Sequence, residues 1–209
     1  GSEMCIRDRA ISKKNQIYSN FIGMGYYGTY TPNVIIRNIL ENPGWYTSYT
    51  PYQAEVAQGR LEALLNYQTV ICDLTGMEIS NASLLDEATS AAEAMTMLYG
   101  CRSRDQIKNQ VNKFIVSDDV FEQTLAVLQT RSEPLGIEIE LRTTDSIKID
   151  EKVFGCLVQY TGKTGKINDL EALSKKIEKS NCRLVVAADL MSLTVLKEPS
   201  AFYSDVVVG

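Results

Sequence analysis

The chain has 209 residues, 44% of them hydrophobic and 22% charged, the composition of a globular protein long enough for one sizeable core. A net charge of −5 with no basic run or Arg-rich face argues against phosphate-backbone binding, so nucleic acid is not an expected partner. Histidine is absent, which removes the commonest general base, the commonest metal ligand and every Ser-His or Cys-His arrangement; with no signal peptide and no run of 18 apolar residues, neither a metal nor a membrane is expected.

The opening GSEMCIRDR has neither helical nor strand periodicity and reads as a tag or cloning scar, so residues 1–11 are set apart from the fold. Residues 12–112 read as a helical and loop segment that includes the start of a large domain. IGMGYYGTYTP, with Gly23, Gly25 and Gly28 around Tyr27, is turn-rich. TPNVIIRNILEN then places Pro32 in a first helical turn, with Val34, Ile35, Ile39 and Leu40 on one side.

Residues 44–60, GWYTSYTPYQAEVAQGR, crowd Trp45, Tyr46, Tyr49 and Tyr52 before an evident helix. A turn gains nothing from such side chains, whereas aromatic bodies with polar tips suit interfaces and pockets. Two readings stand: a loop whose tyrosines pack on the domain, or one wall of a site. The helix runs toward Gly76, with Leu61, Leu64, Leu65, Ile71 and Cys72 near one stripe and Gly76 as its stop.

SLLDEATSAAEAMTMLYG gives a second long helix, with Ser83 and Asp86 in capping-box spacing, Glu87 in the first turn and Gly100 at the end. Its stripe of Ala88, Ala91, Ala92, Met95 and Leu98 predicts close packing, against a sheet. Free N–H groups at a helix start can hold a phosphate, but Asp86 and Glu87 already place negative charge there. This start is built like an anion site and filled with its own acids.

From Lys113 to the end, apolar runs alternate with helices: KFIVS, the helix DDVFEQTLAVLQTR, IEIELR, VFGCLVQYT, the helix NDLEALSKKIEKS with Asn168 and Glu171 in capping spacing, RLVVAAD and DVVV. Runs of Val, Leu and Ile without polar alternation predict strands buried on both faces, hence an α/β three-layer sandwich with a mostly parallel sheet over residues 113–209. The alternating run at 137–141 belongs nearer an edge. Cys72 and Cys156 lie in apolar segments, and five scattered cysteines without a CxxC motif suit a reducing compartment. Because SDVVVG ends on an apolar strand, the chain is expected to be truncated there.

TGKTGK, 161–166, fails as a phosphate loop because Leu157 stands where the first glycine of that motif belongs; it reads as a glycine-rich loop between strand and helix. Asp189 follows the strand RLVVAAD at the edge where open α/β sheets gather ligands, and it serves either a ligand or the LMSLT turn after it.

The run IGMGYYGTYTPNVIIRNILENPGWYTSYTPYQAEVAQGRLEALLNYQTVICDLTGMEISNASLLDEATSAAEAM closely resembles the N-terminal half of the glycine decarboxylase family, the P-proteins of the glycine cleavage system. The likeness is strong over 14–97 and looser through VQYTGKTGK and AADLMSLTVLKEP to the last residue. It implies a pyridoxal-phosphate enzyme of the aspartate-aminotransferase type (fold type I) that decarboxylates glycine and passes the aminomethyl group to the lipoylated H-protein. In that family two similar halves pair, fused or as separate subunits, in a homodimer or a two-plus-two assembly, and the cofactor lysine lies in the C-terminal half. By that analogy Asp189 stands where the fold places the partner of the pyridinium nitrogen, and Asp86, Glu87 and Thr89 stand in the phosphate-binding helix start, both in degenerate form.

Tyr27, Tyr49, Tyr52, Gln53, Glu55 and Gln58 are the candidates for shaping the substrate pocket or the interface with the other half. The family's Arg-His-Ile-Gly arm and its cofactor-lysine motif are missing, so this chain alone is expected to hold no cofactor and to be inactive. With no presequence visible, bacterial cytoplasm is the expected location, or the mitochondrial matrix in a eukaryote. Two alternatives remain open: a noncatalytic half that only stabilises its partner, and a piece of another fold type I enzyme.

Overall fold

A strand with apolar residues on both faces must be covered twice, and this requirement organises the molecule. In the computed structural model, residues 3–42, 45, 53–81 and 83–209 are described, with 54–58 described by their backbone alone. Five parallel strands form one sheet in the order β2-β1-β3-β4-β5: β1 (Lys113–Ser117), β2 (Glu138–Arg142), β3 (Val153–Tyr160), β4 (Arg183–Ala188) and β5 (Val206–Val208). All eight residues of β3, the central strand, are buried, as its apolar run predicts. The alternating β2 lies at one edge, half exposed.

The helices are α1 (Glu3–Ser12), α2 (Asn33–Leu40), α3 (Ala54–Thr75), α4 (Glu87–Gly100), α5 (Arg104–Lys108), α6 (Glu122–Ser132) and α7 (Leu170–Ile177). One face of the sheet is covered by α4 and α6, where Ala91, Ala92, Met95 and Leu128 join Phe114, Leu157 and Val185 in one core layer. The other face is covered by α7 through Leu170, Leu173 and Ile177, with Ile115, Val158 and Val186 beneath them. Together these make the three-layer sandwich expected from the strand and helix alternation. Cys156 and Cys182 lie in this second layer; burial pushes both thiols up, Cys182 to about 12, so both behave as small hydrophobes. Among the described residues no helix is long and apolar enough to cross a membrane.

Several local expectations are corrected. The opening segment is a helix, α1, although it buries no residue. Pro32 is the residue before α2 rather than within it, and the apolar side chains of α2 are all exposed. Leu65 on α3 is also exposed, at 64%. The cap of α4 is Asp86 alone, with Ser83 outside the helix; α6 starts at Glu122, because 118–121 form a turn; and α7 is capped by Asp169 rather than Asn168. At α4 and α7 it is the carboxylate of Asp86 or Asp169, not the predicted side chain, that accepts from the first N–H groups.

Gly155 of β3 sits opposite Phe114 of β1, and a β-carbon there would lie 2.7 Å from the Phe114 ring. Because both residues are central, neither can yield without disturbing the layer. Gly155→Ala is expected to cost about 1–3 kcal/mol, read as a lower midpoint in denaturant unfolding; an unchanged midpoint would refute this packing role.

Candidate functional site

The strands end together on one side of the sheet, and three other elements converge there. The turn at 23–28 reaches it from the N-terminal part of the chain. Positive backbone φ at Gly23, Met24 and Gly25 folds this turn, the Gly25 backbone lies against the Phe121 ring, and Gln123 Nε2 donates to the Met24 carbonyl at 2.9 Å. Tyr27 is thereby placed with its hydroxyl donating to Asp189 Oδ2 at 3.2 Å. The other oxygen of Asp189 accepts from the Met191 N–H at 3.1 Å, so this carboxylate both caps the turn that follows it and holds the tyrosine. Burial, then the neighbouring Asp189, pushes the Tyr27 phenol up.

The second element is the start of α4. Asp86 accepts from the Thr89 N–H at 2.7 Å, and that bond holds its carboxyl below the usual range. Glu87, the first helical residue, turns inward: Oε1 accepts from Thr124 Oγ1 at 3.2 Å and Oε2 from Gln159 Nε2 at 3.0 Å. Burial pushes its carboxyl up, the two hydrogen bonds oppose that shift, and the negative charges of Asp189 and Asp86 add to it. Gln159 is 1% exposed, and its Oε1 finds no hydrogen-bond partner among the described residues.

The third element is the 161–168 loop. It is fastened to the β1–α6 turn by Asp119, whose carboxylate accepts from Thr164 N at 3.1 Å, Thr164 Oγ1 at 2.8 Å and Asn168 Nδ2 at 3.4 Å. A β-carbon on Gly162 would overlap that carboxylate, so the glycine is a requirement of close approach. Lys166 pairs with Asp145 at 3.0 Å, and Lys163 is exposed.

Of the residues singled out by sequence, Tyr27, Asp86, Glu87, Thr89 and Asp189 are thus brought to this edge. Gln53 is exposed just before α3 and makes no side-chain cap. Tyr49 and Tyr52, and the side chains of Glu55 and Gln58, lie outside the described residues. Sequence reasoning missed Thr124, Gln159 and Asp119. Gln159 carried a signal, since it is the single amide in the apolar run VFGCLVQY. Among the described residues no three carboxylates or thiols converge to hold a metal ion.

The family profile described as glycine cleavage system P-protein matches residues 2–209, including most of the segment set apart at 1–11. The glycine dehydrogenase (decarboxylating) of Flavobacterium johnsoniae is 52% identical over 199 residues, which is 95% of this chain and 21% of that protein. The chain therefore spans about a fifth of the length of the curated relatives it matches. A solved structure of glycine decarboxylase (P-protein) of the glycine cleavage system, in inhibitor-bound form, superimposes with a TM-score of 0.82 at 30% identity, covering 98% of this chain and 46% of that one. A Lactobacillus brevis glutamate decarboxylase at 14% identity shares the fold alone, with a TM-score of 0.62 over 90% of this chain and 48% of its own.

Because the Glu87 pKa is raised in the folded protein, its protonated form is favoured by folding; that contribution is complete below the ordinary value near 4.5 and is lost as pH rises through the raised value. Glu87→Gln is therefore expected to gain on the wild type in stability as pH rises through that window. Unfolding curves from pH 4 to 8 test it, and a constant difference would refute the burial of this acid.

Proposed function

The chain belongs to the family of the glycine cleavage system P-protein, and on that premise we propose that it forms the lobe without the cofactor in a pyridoxal-phosphate-dependent glycine decarboxylase. The observation that supports this reading is the match of nearly the whole chain to that family, together with a sheet edge already occupied by the protein's own groups. The residues here do not fit pyridoxal phosphate. The negative charge of Glu87 at the head of α4 opposes a phosphate, Asp189 already takes the Tyr27 hydroxyl, and of the two lysines in the neighbouring loop Lys166 is paired with Asp145 while Lys163 is exposed. The cofactor lysine belongs, in this reading, to the C-terminal half or a second subunit.

This lobe then contributes orientation and enclosure rather than electron chemistry. Its tyrosine-bearing segment, with Tyr27, Tyr49, Tyr52, Gln53, Glu55 and Gln58, faces the active site of the other half, where glycine is decarboxylated and the aminomethyl group passes to the lipoylated H-protein. The Asp119 clamp and the Tyr27–Asp189 bond hold the 161–168 loop and the turn at 23–28 in place at this sheet edge. The halves pair within a homodimer or a two-plus-two assembly, in the bacterial cytoplasm.

A second reading, a lobe that only stabilises its partner, draws support from the exposed apolar face of α2, where Val34, Ile35 and Leu40 are each about half exposed. Mutants of the full-length enzyme separate the two. Tyr52→Phe and Glu55→Gln are expected to lower turnover roughly 10²-fold with the assembly intact, measured as carbon dioxide release from glycine. Unchanged turnover and glycine affinity would leave only the stabilising role.

A further inference from the structure

We infer that Glu87 is a built-in anion: its carboxylate takes the place at the head of α4 that a small oxyanion such as phosphate would otherwise fill, and so closes this sheet edge to such ligands. Glu87 is the first residue of a 14-residue helix, where free N–H groups and the helix dipole favour negative charge. Two donors from separate elements meet on it, the Thr124 hydroxyl from α6 and the Gln159 amide from β3, one on each oxygen.

Gln159 is the telling member. It is 1% exposed at the end of an otherwise apolar strand, and its amide is turned so that the donor end faces Glu87 while Oε1 has no partner among the described residues. An unmet buried acceptor is costly. The fold tolerates that cost to deliver an N–H to an anion, and the anion supplied is the chain's own. No Lys or Arg among the described residues forms an ion pair with Glu87, so the carboxylate is not there to neutralise a cation. Burial pushes its carboxyl up, and the two hydrogen bonds that meet it oppose that shift.

The inference does not rest on the decarboxylase reading, and catalytic activity is not its readout. In the full-length holoprotein, Glu87→Ala removes the carboxylate and leaves both donors in place. Calorimetric titration with inorganic phosphate is then expected to show saturable binding at least about tenfold tighter than in the wild type. Glu87→Gln, which fills the same space with a neutral amide, is expected to match the wild type. Equal phosphate affinity in the wild type and Glu87→Ala overturns the inference. Should Glu87→Ala fail to fold, the infrared difference spectrum of wild type minus Glu87→Gln at neutral pH decides: an ionised carboxylate band supports a built-in anion, and a protonated carboxyl band overturns it.

Discussion

A strand buried on both faces has no cheap place for a polar side chain, and β3 carries one amide, Gln159, at its end. Much of the chemistry of this molecule gathers around how that amide is met. It needs a partner that arrives from outside the sheet, and the alanine-faced α4 brings one in Glu87. Ala91 and Ala92, almost fully buried, let the backbone of α4 approach the strands, and the first residue of that helix then stands over the end of β3. Small side chains in the core and an acid at the helix start are two parts of one arrangement.

The same edge is tied together by contacts that skip far along the chain. Thr124 and Gln159 meet Glu87 from 37 and 72 residues away, and Asp119 fastens a loop 45 residues on. Each bond is modest by itself. They share one edge, so loosening any one leaves a polar group there short of a partner.

How much of this could be read from sequence follows from the range of each interaction. The strands of the sheet and the buried stripe of α4 are written in local patterns of apolar residues, and Val153–Tyr160 and Ala91, Ala92 and Met95 sit where those patterns place them, while the order of the strands was not legible in them. The cap of α4 was half legible: Asp86 and Ser83 share a spacing, but only Asp86 reaches the Thr89 N–H. The presence of Glu87 and Asp189 at one edge was legible through family resemblance. Their actual partners, Thr124, Gln159 and Tyr27, were not, because a hydrogen bond between residues tens of positions apart leaves no periodic trace. The exposed side of α2 shows the opposite limit, since an amphipathic pattern announces that a face will be covered without saying by what.

The bond from Tyr27 to Asp189 joins residues 162 positions apart. At a synthesis rate of roughly 5–20 residues per second, the tyrosine is joined to the chain about 8 to 32 seconds before its acceptor. The turn at 23–28 must therefore wait, undocked, until β4 has emerged, and any factor that shields nascent apolar segments has its longest opportunity there.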